Sequence, residues 1–205
     1  MGWVLLSCAM ALGVVSLAVA LALPGVRRRA PWLAGAVILG AALPSSTIDP
    51  QSWSASVAWG LLAGFSGTLV VIDLENRTLP REISLTGAVL LLAFLFFAPA
   101  PPTGGVWMMA LGAASMTLIT AVLRAASRGA LGMGDVFLAP LLGAALGWIE
   151  PWLVLVAWLA TALAGGVVIT GLLMAGRVTR QASVPYGPFM VFGTYAALIL
   201  SGRGT

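Results

Sequence analysis

The sequence predicts an all-α fold, a polytopic transmembrane bundle of about eight helices. Three observations predict it. Hydrophobic residues make up 60% of the chain and charged residues 8%. The apolar residues fall in runs too long for helices of a soluble domain. The arginines gather in alternate gaps between those runs. A bilayer is the solvent that suits such a composition.

A helix needs about 20 mostly apolar residues to cross about 30 Å of hydrocarbon. The predicted spans are 3–23, 30–46, 53–73, 83–100, 104–123, 130–149, 151–175 and 184–201. No soluble domain fits between them, and no long repeat or low-complexity tract interrupts them, so residues 1–205 read as one domain. The first span reads as a retained anchor, because a cleaved signal carries its positive charge before the apolar stretch and nothing basic precedes Arg27. GxxxG patterns at Gly60 and Gly64 in the third span and at Gly143 and Gly147 in the sixth suit close helix packing.

Basic residues stay on the cytoplasmic side of short membrane loops. Arg27, Arg28 and Arg29 follow the first span, Arg77 and Arg81 the third, Arg124 and Arg128 the fifth, and Arg177 and Arg180 the seventh. Only Arg203 breaks the pattern, so both termini are expected outside and the net charge of +4 is a topology signal. With no basic patch interleaved with aromatics, nucleic acid is not an expected partner. Most of the eight tryptophans, including Trp3, Trp53, Trp107, Trp148 and Trp152, lie near predicted span ends and read as interfacial anchors.

Histidine is absent and Cys8 is the only cysteine. That removes Ser/His/Asp and Cys/His hydrolase chemistry, the HExxH metalloprotease pattern and any cysteine-based zinc site. Acid-base chemistry falls to the six acids: Asp49, Asp73, Glu75, Glu82, Asp135 and Glu150. Two are placed unusually. The apolar stretch 136–149 covers only about 21 Å at 1.5 Å per residue, so to cross it must borrow residues before Asp135. Asp73 ends the apolar run 53–72 on the same predicted side. Acids at membrane depth are costly and mark functional sites.

Two carboxylates brought together cannot both ionise easily, so one keeps a proton while the other serves as a base. That is the aspartic-protease arrangement, and it needs no metal, cofactor or covalent intermediate. Gly132 and Gly134 let the chain enter irregularly beside Asp135, leaving backbone donors and room for a substrate strand. Plainer roles stay open from spacing alone: Asp135 as the N-cap of the sixth helix, and Asp73 as an interfacial acid paired with Arg77 one turn later. Glu75, Glu82, Asp49 and Glu150 read as loop charges.

Three segments then resemble type IV prepilin peptidases. VIDLENRTLP at 71–80, followed by ISLT at 83–86, resembles the segment that carries the first catalytic aspartate, here Asp73. GMGD at 132–135 is similar to the GxGD signature, which makes Asp135 the second, and LGAALGW at 142–148 continues the likeness. VPYGPF at 184–189, followed by Gly193, resembles the proline-glycine motif near the end of these enzymes. The motifs span residues 71–193.

The resemblance implies a multi-pass aspartic peptidase of the bacterial inner membrane. Such an enzyme removes short basic leaders from prepilins and pseudopilin-like proteins, after a glycine, at the cytoplasmic face. It marks Asp73 and Asp135 as catalytic and Gly132, Gly134, Pro185 and Gly187 as shaping the site; Glu75 and Glu82 offer complementary charge to the leader. Expected partners are that substrate and membrane lipid. Larger members carry a cytoplasmic loop with paired CxxC motifs and methylate the product; here only a short basic link at Arg27 stands in its place, so methyltransferase activity is not expected. Arg81 stands where the family often has Asp, and Phe137 where it often has Lys. The alternative from another class is a noncatalytic membrane assembly or scaffold protein with the same fold. A small transporter would need a polar site at the midplane, whereas both aspartates lie near one face.

Overall fold

A computed structural model describes residues 53–76, 79–99, 104–127, 131–176 and 186–201. The first two predicted spans, Cys8, Arg77 and Pro185 lie outside the described residues. Six α-helices account for the described chain, with no strand among the described residues: α1 (Trp53–Asn76), α2 (Arg81–Phe96), α3 (Val106–Ala126), α4 (Met133–Ile149), α5 (Leu153–Met174) and α6 (Gly187–Ser201). The all-α expectation is met. By length and composition α3 and α5 are long and apolar enough to cross a membrane, whereas α4, α6 and the apolar part of α1 are shorter.

Several helix ends differ from the expected spans. α1 runs on to Asn76, which brings Asp73 inside the helix. α2 stops at Phe96, and Pro99 accounts for this, because the residue before a proline is pushed out of the helical region. α4 starts at Met133, later than the expected 130, because Gly132 is extended at φ −65° and ψ 151°. Asp135 therefore lies in the first turn of α4 as its third residue, and is not the N-cap.

α4 is the axis of the bundle, and its side chains from Leu141 to Trp148 are buried throughout. A helix apolar on every face has no side to give to water. It packs most extensively on α3, and then on α2. The glycines explain how close α3 comes. A methyl group on Gly143 would stand 2.3 Å from the carbonyl oxygen of Gly112, and one on Gly147 would stand 2.2 Å from that of Met108. The GxxxG pair of α4 thus meets a glycine of α3 backbone to backbone.

α5 and α6 form the second tight pair. Gly193 makes it possible, since a methyl there would lie 2.1 Å from Thr161 Oγ1 and 2.3 Å from the carbonyl oxygen of Ala157. The Thr161 hydroxyl donates to the carbonyl oxygen of Ala157 at 2.7 Å and lies 3.2 Å from that of Phe189 across the same interface. α6 also reaches α1, where the hydroxyls of Ser66 and Tyr195 are 3.1 Å apart. On the outer side, α5 exposes Leu155, Leu159, Leu163 and Val167, a stripe at four-residue spacing. Trp107 and Trp152 are exposed near helix starts, as interfacial anchors would be, but Trp148 is buried and belongs to the core.

Candidate active site

Asp73 sits near the end of α1 and Asp135 in the first turn of α4. Both are buried, with 5% and 4% of their surface exposed. Burying a carboxylate costs several kcal/mol unless hydrogen bonds compensate, on the order of magnitude set by transfer from water. Each has one from the backbone. Asp135 Oδ2 accepts from the N–H of Gly132 at 3.0 Å. Asp73 Oδ2 accepts from the N–H of Gly187 at 3.2 Å. The two carboxylates lie close enough for their charges to interact.

In the bond at Asp135 an acid at the third helical position reaches back to the N-cap N–H, as in one half of a capping box; Gly132 has no side chain to supply the other half. Gly132 is thus the N-cap, and Asp135 satisfies its backbone N–H from the third helical position. Its burial and its nearness to Asp73 set it apart from an ordinary cap. The backbone donor that the glycines were expected to free for a substrate is turned inward at Gly132, onto Asp135 itself.

Leu79 joins the three motif segments, a role that sequence reading missed. It precedes Pro80 in the link between α1 and α2. A methyl on Gly134 would stand 2.4 Å from Leu79 Cβ and 3.2 Å from its Cα. A methyl on Gly187 would stand 3.3 Å from Leu79 Cδ1 and 2.9 Å from Asp73 Oδ2. One leucine therefore fills the space that two motif glycines leave, between the helix that carries Asp135 and the backbone group that holds Asp73. The only earlier signal was its place in the Leu-Pro pair of the first motif.

Tyr186 was also missed as an individual residue, although it lies within the third motif. Its ring stacks on Trp158 with centroids 6.2 Å apart and planes at 28°. Phe189 touches it from the same helix turn, at 6.2 Å and 60°. Its phenol is within range of the Asp135 charge, so an aromatic wall from α5 and α6 stands beside the carboxylates.

Arg81 and Phe137, the two departures from the family pattern, meet each other. The Arg81 guanidinium lies 5.1 Å from the centre of the Phe137 ring, a cation–π contact between the first turn of α2 and the second turn of α4. Glu82 is exposed on that first turn of α2. Glu75 falls in the last turn of α1 with its side chain outside the described residues, as is Pro185. Of the expected site residues, Asp73, Asp135, Gly132, Gly134 and Gly187 come together, and Glu82 is exposed.

Residues 60–170 match the family model described as the type IV leader peptidase family. The matched stretch contains both Asp73 and Asp135 and ends before Gly187. No curated protein and no solved structure matches the chain. A match over more than half of the 205 residues is sufficient: the chain belongs to the type IV leader peptidase family, a family of membrane-associated peptidases.

Proposed function

We propose that the protein is a multi-pass aspartic endopeptidase of the bacterial inner membrane that removes the short basic leader from prepilin or pseudopilin-like substrates at the cytoplasmic face. Asp73 and Asp135 share one proton. The ionised member takes a proton from a water that attacks the scissile carbonyl carbon, and the protonated member gives its proton to the carbonyl oxygen. The tetrahedral adduct then collapses. Its C–N bond breaks as the leaving amine takes up a proton from the pair, one hydroxyl of the adduct gives its proton back to the pair as the new carboxyl group forms, and the dyad again holds one proton.

The observation that carries this reading is the burial of two carboxylates within range of each other's charge, each with a backbone N–H donor, inside a chain of a leader peptidase family. An amide donor fixes the orientation of each carboxylate, which suits a site where a proton must move between the two groups. The substrate is expected to leave its apolar segment in lipid and present its leader at the surface near Glu82. The exposed leucine and valine stripe of α5 supports the bilayer setting. Eight spans with both termini outside, and a single domain over 1–205, are part of the same proposal. It rests on the arginine pattern.

A cleavage assay decides between this reading and a scaffold role. The purified protein in detergent or liposomes is incubated with a pilin-like substrate bearing a basic leader and a glycine before its apolar segment. The product mass should locate the cut directly after that glycine, with no added methyl group. An intact substrate at all enzyme concentrations would favour the noncatalytic scaffold.

A further inference from the structure

We propose that Arg124 is a positioning residue for Asp135, acting through the peptide group between Leu131 and Gly132. The inference rests on the reading of Asp135 as one of the catalytic carboxylates. By sequence Arg124 is only a basic residue on the cytoplasmic side, and any cation in that loop would serve topology equally well. Its contacts are more particular.

Arg124 lies in the last turn of α3 and its Nη1 donates to the carbonyl oxygen of Leu131. The N–H on the other side of that same amide belongs to Gly132, and it donates to Asp135 Oδ2 at 3.0 Å. A peptide unit is rigid and planar, so fixing its oxygen fixes the direction of its N–H. A cation on the oxygen also polarises the amide and strengthens the bond that the N–H makes. The guanidinium thus acts on the carboxylate through one intervening group.

Leu131 is held on its other side as well. Its N–H donates to Ser127 Oγ at 3.4 Å, and the Ser127 hydroxyl donates to the carbonyl oxygen of Arg124 at 3.1 Å. The end of α3 and the entry to α4 are therefore tied at both faces of one residue. The charge of Arg124 also reaches Asp135 directly, where it opposes that of Asp73 on α1, and the Tyr186 phenol at the start of α6 is within range of the Asp135 charge.

The test compares wild type, Arg124→Gln, Arg124→Ala and Arg128→Gln in the purified protein, using a basic-leader pilin-like substrate. Arg124→Gln should lower kcat by about 10- to 100-fold while KM stays within about twofold, the signature of a misplaced catalytic group. Arg124→Ala should lose as much and recover a part of it when millimolar methylguanidinium is added. Arg128→Gln removes an equal charge four residues further along the chain and should behave as wild type. Wild-type kcat in Arg124→Gln, or an equal loss in Arg128→Gln, would overturn the proposal. Amide exchange at labelled Gly132 gives a readout that needs no cleavage, and it should speed up in Arg124→Ala. Unchanged exchange contradicts the proposal whether or not the protein cleaves. A wild type that cleaves nothing while this exchange still responds would instead remove the peptidase reading alone.

Discussion

Asp135 accepts its backbone hydrogen bond from a residue three positions earlier, whereas Asp73 accepts from one 114 positions later. The first bond closes within a single turn of chain at the start of α4. The second exists only when α6 is packed against α1. Two carboxylates of the same chemistry are thus secured by a local device on one side and by tertiary assembly on the other. The contrast teaches where the site is vulnerable. Damage to α5–α6 packing should release Asp73 and leave the anchor of Asp135 intact.

The strongest way to exploit this difference is Gly193→Ala. The added methyl group meets a hydroxyl at 2.1 Å and a backbone oxygen at 2.3 Å, so α6 has to move off α5. Overpacking of this kind costs about 1–3 kcal/mol, and here it also withdraws the donor from Asp73. Cleavage should fall by about 100-fold or more, as expected for a displaced catalytic group, and the melting temperature should drop. Amide exchange at Gly132 should stay as in wild type. Equal disturbance at Gly132 and Gly187 would show that the two anchors are not independent.

A smaller effect is expected at the junction between the two halves. Gly134→Ala forces its methyl against Leu79 Cβ, and cleavage should drop by about tenfold. Leu79→Gly in the same chain removes the obstructing carbon and should restore part of the loss. A double variant no better than Gly134→Ala would mean that Leu79 does not fill the space between the two glycines as described.

The smallest effect belongs to the contact of Arg81 with Phe137, which ties α2 to α4 near Asp135. An exposed cation–π pair is worth about 0.5–1 kcal/mol. A double-mutant cycle on Arg81→Met and Phe137→Leu, read by thermal unfolding, should return a coupling of about that size. Additive effects would reduce this contact to coincidence.

The same contrast explains what could be read from the sequence. The helices were legible because their apolar runs are long, and α1, α3, α4 and α5 fall close to the spans expected for them. Asp135 is legible because its neighbours carry its context: Gly132 and Gly134 precede it in one short motif. Membrane thickness places the start of this span near 130, whereas α4 starts at Met133, because the extended backbone of Gly132 leaves no mark on hydropathy. The partner of Asp73 was out of reach. A backbone N–H has no sequence signature, and nothing in residues 71–80 points to Gly187. Leu79, Tyr186 and Arg124 went unread for the same reason, because their roles arise from contacts between distant helices or through a peptide group. Arg124 counted only as a charge, although its reach to Leu131 depends on its shape.

Whether the two aspartates act as one unit is measured most directly by initial cleavage rates of wild type, Asp73→Asn, Asp135→Asn and the double variant, with membrane insertion checked for each. Groups that work together are strongly nonadditive. Each single variant should abolish cleavage, the double should lose little more, and the wild-type rate should fall at both pH extremes while the fold persists. Substantial cleavage by either single variant would contradict the dyad and return Asp135 to the role of a helix-capping acid.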